Sequence, residues 1–215
     1  DLHTPQITGF YQIPVDNLSA NSLLAQFIRN QYFTEVSDSD TDSDTEFYSD
    51  DDSLEPFELK SDTNSRFVLV SPDAGGIKRM ISLAESLNLS FVIMHKQRNY
   101  DRINHVDTIT LLGDRKSIRN KTCLIVDDMC DTGSTICKTA ETLLTHGAKE
   151  IRVMVTHGVL SGSAIQRLSE QRGITELVCT NSLPLPPHSE TRLKIHQIDI
   201  APLIAQWINT RQIDY

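Results

Sequence analysis

From Arg66 onward, short apolar runs alternate with amphipathic stretches, and few folds accommodate that alternation. The runs are FVLVS (67–71), SFVIMH (90–95), TITLLG (108–113), CLIVDD (123–128), IRVMVTHG (151–158), ELVCT (176–180) and KIHQIDI (194–200). Between them, amphipathic stretches at 74–88, 134–146, 162–172 and 200–210 have the character of helices. A strand that is apolar on both faces needs cover on both, and the crossover helices of a parallel sheet supply it. The expected class is α/β, with a doubly wound, mainly parallel sheet.

Upstream, NLSANSLLAQFIRNQY (17–32) places Leu23, Leu24, Phe27 and Ile28 at helical spacing after a polar, cap-rich start. Residues 35–64 then break the pattern. Within 35–65 there are twelve carboxylates and one cation, Lys60, a net −11; with −9 for all 215 residues, the rest carries +2. Alternating Ser/Thr and Asp cannot bury enough apolar surface to offset chain entropy, so a disordered acidic insertion is expected there. No basic stripe points to nucleic acid, and no apolar run approaches a membrane span. Cys123, Cys130, Cys137 and Cys179 form no CxxC pair, which argues against a zinc site and for a reducing compartment, the cytoplasm. The sequence opens at Asp1 without Met and reads as a piece of something longer.

Ligands of doubly wound sheets sit beyond the carboxyl ends of the strands. The polar loops expected there are SPDAGGIKR (71–79), HKQRNYDRINHVD (95–107), DDMCDTGST (127–135) and THGVLSG (156–162). In DTGST, Thr132, Ser134 and Thr135 offer hydroxyls and Gly133 lets the backbone curl ahead of a helix, a suitable concavity for an anion. The GK[ST] ending of a Walker loop is missing. Asp127 and Asp128, side by side before it, suit the vicinal hydroxyls of a sugar. On residue types alone, a ribose phosphate site and an ordinary polar turn capped by Asp131 stand about even.

The ordered motifs DLH (1–3), GFYQIPVDNL (9–18), SPDAGGIKR, HKQR (95–98), VDDMCDTGST (126–135) and THGVLSG together resemble the ribose-phosphate pyrophosphokinase family. The resemblance spans nearly the whole chain outside the acidic insertion. It implies a type I phosphoribosyltransferase-like fold and transfer of pyrophosphate from MgATP to the C1 hydroxyl of ribose 5-phosphate, giving phosphoribosyl diphosphate for nucleotide biosynthesis and AMP. By the same resemblance, Lys96 matches the catalytic lysine of a mobile loop and Arg98 its partner. Asp127 matches the ribose-binding acid, with Asp128 shaping the site, and Asp131, Thr132, Gly133, Ser134 and Thr135 match the 5-phosphate loop. His3 and Asp73 match Mg²⁺-binding positions, and Asp1 and Asp16 match further acidic positions assigned to the cation.

Three departures stand out. Gln12 replaces a common Asp, Ser134 replaces a common Gly, and NYDRINHVD after Arg98 is less basic than usual. Most of the N-terminal half, with the usual adenine- and ATP-contacting segments, is absent, so this fragment alone is not expected to turn over. The resemblance divides the chain into 1–34, the end of a truncated N-terminal phosphoribosyltransferase-like domain; the insertion 35–64; and 65–215, a C-terminal phosphoribosyltransferase-like domain carrying the ribose 5-phosphate site. It also implies a homo- or hetero-oligomer with paralogous subunits. A non-catalytic regulatory subunit is the rival reading, disfavoured by Lys96, Arg98 and the near-intact phosphate loop. A base-transferring phosphoribosyltransferase leaves DLH, SPDAGGIKR and HKQR unexplained. In the insertion, Ser37, Ser39, Thr41 and Ser43 each precede an acidic residue within three positions, the context acidophilic kinases favour, so phosphorylation is expected there.

Overall fold

The computed structural model describes residues 1–33, 66–97, 108–112, 115–188 and 190–211. The expected insertion, with Ser37, Ser39, Thr41 and Ser43, and also Arg98, lies outside these residues. Among the described residues, seven strands form one sheet: β1 (Phe67–Ser71), β2 (Phe91–Gln97), β3 (Thr108–Leu112), β4 (Thr122–Cys130), β5 (Glu150–Gly158), β6 (Ile174–Thr180) and β7 (Lys194–Ile198). Their order is β3-β2-β1-β4-β5-β6-β7, with only the β2–β3 pair antiparallel. The α-helices of the described residues are α1 (Asn21–Ile28), α2 (Ile77–Leu87), α3 (Ser134–Thr145), α4 (Ala164–Glu170) and α5 (Ala201–Arg211). The α/β, mainly parallel architecture expected from the alternation is the one observed.

β4 explains the unbroken apolar run. Cys123 and Ile125 enter a core with Ile136, Ala140 and Leu143 of α3 and Leu168 of α4. Leu124 and Val126 enter a second core, with Leu24 and Ile28 of α1 and Met80 and Leu83 of α2. Both faces of the strand are therefore dry, and alternation carries no advantage. α2 stops at Asn88, whose left-handed φ of 51° closes the last turn as a C-terminal cap.

Leu24, Ala25, Ile28 and Tyr32 belong to this second core, so the chain before residue 34 packs with the strands after it. After α1 a wider π turn (Arg29–Phe33) brings Tyr32 and Phe33 onto Phe67, with ring centroids 5.8 and 5.9 Å apart. The two ends of the acidic segment thus meet in an aromatic clasp at the amino end of β1.

Beside that clasp, Glu176 of β6 is 4% exposed. Its carboxylate accepts the Tyr32 hydroxyl at 2.8 Å and lies 2.9 Å from His196 Nε2 and 3.5 Å from Arg152 Nε. Arg152 in turn stacks 4.2 Å over the Tyr32 ring and pairs with Glu150 at 2.9 Å. Burial, with the Glu176 charge behind it, raises the Tyr32 phenol pKa well above the ordinary value.

Two surfaces are apolar and open. α5 buries none of its residues and exposes Ile204, Trp207 and Ile208. The stretch before α1 exposes Phe10 at 87% and Ile13 at 70%. No helix among the described residues is long and apolar enough to cross a membrane.

Candidate active site

A cleft of about 440 Å³ opens where the chain leaves β1 and β4 at their carboxyl ends. It is lined by Asp1, His3, Asp73, Asp127, Asp128 and the whole run Asp131–Thr135, residues that the sequence scatters over more than 130 positions. β4 continues two residues past the acidic pair, because Met129 and Cys130 still pair with His157 and Gly158. The carboxylates therefore stand on a rigid strand and not in the turn itself.

Asp127 Oδ1 accepts the Asp128 amide at 2.8 Å. Burial pushes its carboxyl up to about 7, so near neutral pH it exchanges its proton readily. Asp128 behaves oppositely. Burial alone would raise it, but His3 Nδ1 at 3.0 Å and Arg79 Nη2 at 3.6 Å hold it below the ordinary value. Two adjacent carboxyls with opposed environments give the cleft one firm acceptor and one that changes charge easily.

Arg79, on α2, lies within SPDAGGIKR, and the motif assigns it no role. Its guanidinium reaches Asp1 at 3.5 Å, Asp128 at 3.6 Å and Asp127 at 3.9 Å, which is how the three carboxylates share one small volume. The available signal was a cation one helical turn beyond a Gly-Gly loop, facing a DD pair whose charge needed an answer. Asp73 belongs to that loop, where its Oδ1 accepts the amides of Gly75 and Gly76 at 2.8 and 3.2 Å. Gly76 is required by space, since a Cβ there would sit 2.7 Å from Ser71 Oγ.

The phosphate-type loop turns on Gly133, at φ +74°, directly before α3. A Cβ on it would lie 3.3 Å from Leu168 Cγ. Gly133→Ala should therefore cost about 1–2 kcal/mol from the left-handed backbone alone, with the crowding added. Urea unfolding measures it, and an unchanged midpoint would contradict the loop conformation. The loop is also held from the segment that follows β5, where the amides of Leu160 and Ser161 donate to the carbonyls of Cys130 and Asp131 at 2.9 and 3.1 Å.

Not every expected residue converges. Asp16 lies away from the cleft, its carboxylate paired with Arg211 at 3.1 Å. Asp1 lines the cleft, but its oxygens accept the Ala20 amide at 2.8 Å and the Thr156 hydroxyl at 2.7 Å. That carboxylate ties the segment before α1 to β5, a structural use that competes with a metal. Lys96 is on β2, opposite Ile109 of β3, and its side chain lies outside the described residues. His157 is structural, held between Ser182 Oγ and the Asp1 carbonyl, each at 2.7 Å. All four cysteines are buried thiols, and burial pushes Cys130 up to about 12.

His3 and Asp73 both line the cleft, with His3 Nδ1 3.0 Å from Asp128 Oδ2 and Asp73 Oδ1 accepting the two glycine amides. Among the described residues no cluster of three or more His, Cys, Asp or Glu has metal-holding geometry. Mg²⁺ characteristically takes one or two protein carboxylates and completes its shell with water and substrate phosphate, so it does not require such a cluster.

A parallel sheet with a carboxylate pair and a hydroxyl-rich turn at its carboxyl end defines a class. The phosphoribosyl transferase domain pattern matches residues 54–176, and the chain belongs to that family. Within it, the chain is similar to ribose-phosphate pyrophosphokinase 4 of Saccharomyces cerevisiae, 41% identical over 97% of this chain and 52% of that protein. Ribose-phosphate pyrophosphokinase A of Dictyostelium discoideum is 38% identical over 97% of this chain and 54% of its own length. Phosphoribosylpyrophosphate synthetase from Mycobacterium smegmatis superposes with a TM-score of 0.71 at 32% identity, covering all of this chain and 58% of that one. The chain thus spans about half the length of the curated relatives it matches.

Proposed function

We propose that this chain supplies the ribose 5-phosphate half of a ribose-phosphate diphosphokinase. The observation that carries the reading is the convergence of the Asp127–Asp128 pair and the Asp131–Thr135 loop on one cleft. A diol held by the pair and a phosphate held by the loop fit one ribose 5-phosphate. The C1 hydroxyl oxygen then attacks the β-phosphorus of ATP, the bond from that phosphorus to the oxygen shared with the α-phosphate breaks, and AMP leaves.

This chain's residues do three things in that reaction. Asp127 and Asp128 orient the ribose by accepting from its hydroxyls. Thr132, Gly133, Ser134 and Thr135, with Asp131, fix the 5-phosphate. Lys96 and Arg98 supply the positive charge that the pyrophosphoryl group needs as it transfers. Mg²⁺, bound by His3 and Asp73, would neutralise the polyphosphate and hold it in line. The open faces of α5 and of residues 7–15 suit contact with further protein, in keeping with a subunit of an oligomer. A cytoplasmic setting and phosphorylation of Ser37, Ser39, Thr41 and Ser43 are part of the same reading.

Calorimetry with ribose 5-phosphate tests the site. Asp131→Asn combined with Thr135→Ala should weaken binding at least about tenfold, as removal of a hydroxyl that donates to the phosphate does. Undiminished binding would sink the loop assignment. AMP release from MgATP and ribose 5-phosphate by the longer parent protein, compared with its Lys96→Ala variant, tests catalysis. Activity that appears only when a paralogous subunit is added, and that ignores Lys96, would favour the regulatory reading.

A further inference from the structure

Ser134 stands where the resembling family commonly has glycine, and the structure gives that hydroxyl a partner. Arg167, on the exposed side of α4, donates from Nη1 to Ser134 Oγ at 3.0 Å and to the Thr132 carbonyl. The Thr132 hydroxyl also donates to Ser134 Oγ, at 3.2 Å. One guanidinium nitrogen thus joins a main-chain acceptor and a side-chain acceptor two residues apart in the same five-residue loop. The neighbouring residue on α4, Leu168, is fully buried and underlies Gly133, so the helix carrying Arg167 is itself fixed against the loop.

The geometry points to Arg167 as a positioning residue for the phosphate loop, with Ser134 as its receptor. The inference rests on the reading of that loop as the 5-phosphate site. Arg167 does not line the cleft, so it acts from behind. Tying the Thr132 carbonyl and the Ser134 hydroxyl to one guanidinium fixes the shape of the loop, so that its remaining polar groups are held ready for the anion. It also places a positive charge behind a site meant for a dianion, where no bond to the ligand is needed for it to help. A glycine at 134 would leave Arg167 the Thr132 carbonyl alone. The Gly-to-Ser departure, which looks like a loss of backbone freedom, therefore substitutes a side-chain tie for it.

Arg167 is exposed, so its replacement should spare the fold. Calorimetry with ribose 5-phosphate and with inorganic phosphate, together with a thermal melt, would compare wild type, Arg167→Gln, Ser134→Gly and the double variant. Arg167→Gln should weaken both ligands about tenfold, the scale of one charge-assisted contact, with the melting temperature unmoved. Ser134→Gly alone should weaken them, and should add nothing in the Arg167→Gln background, because the two residues form one tie. Equal affinity in Arg167→Gln overturns the inference, as do fully additive losses or a loss matched by a fall in melting temperature. A wild-type chain that binds neither ligand overturns the reading of the site and this inference with it. A wild-type chain that binds while Arg167→Gln binds equally well overturns the inference alone.

Discussion

Asp127→Asn should weaken ribose 5-phosphate binding about a hundredfold at pH 8 and at the same time make the folded chain more stable there. Both effects come from one cause. Burial raises the Asp127 carboxyl to about 7, well above the ordinary 3.8. Between those two values the folded chain holds a proton that the unfolded chain has released. The group's contribution to stability is therefore complete below about pH 4 and is lost as pH rises through 7. At pH 8 the ionised carboxylate is held in a place that disfavours it, and asparagine relieves that cost while keeping the oxygen that accepts the Asp128 amide. Binding responds in the other sense, because the charged form is the better acceptor for sugar hydroxyls. Ribose 5-phosphate affinity should thus rise between pH 6 and 8 in wild type, more steeply than in Asp127→Asn, where only the ligand's own phosphate titrates. Calorimetry across that range, with urea unfolding on the same samples, reads both arms. A variant that binds normally, or that is less stable at pH 8, would remove Asp127 from this role.

The second large effect is remote from the cleft. Glu176→Ala should cost about 3–5 kcal/mol, the scale for removing one member of a buried ionic group. Its carboxylate is shared by the Tyr32 hydroxyl, His196 and Arg152, with Lys194 at 3.9 Å. Alanine leaves that phenol, His196 and Arg152 around a void. Glu176→Gln should cost less, since the amide still accepts from Tyr32 and Arg152 keeps its bond to Glu150. Denaturant unfolding of the two variants against wild type decides it. Equal, small losses for both would mean that the cluster is solvated enough to be dispensable.

Much of this architecture was legible because period and burial are coupled. The runs at 67–71, 123–128 and 151–158 are apolar on both faces, and only a covered parallel sheet makes sense of them. The order of the loops at the carboxyl ends followed directly, which is why Asp73, Asp127 and Asp131–Thr135 converge as expected. What sequence could not carry was pairing at long separation. Asp16 looked like one more acid of the site, but its partner is Arg211, 195 residues away. Asp1 spends its oxygens on Thr156 and Ala20, contacts that no local motif announces. Arg79 was read as part of a loop motif, yet it is the charge that lets three acids coexist. Glu176 was hidden in an otherwise ordinary strand, ELVCT, because hydropathy does not show which partners a buried carboxylate finds. The strand end at Cys130, two residues beyond the acidic pair, is set by pairing with β5 and not by composition.

The aromatic clasp at Phe67 has an implication for how such a chain can diversify. Tyr32 and Phe33 bring residue 33 back to the first residue of β1, so the sequence between them enters and leaves at nearly one point. Where two ends already touch, lengthening what joins them costs only about 0.6 kcal/mol for each doubling. That point is at the amino end of β1, the opposite pole of the sheet from Asp73 and the cleft. Such a position works as a graft point. A lineage can lengthen, shorten, recode or replace the segment there, and so acquire new control elements, while selection on the chemistry at the other pole continues undisturbed.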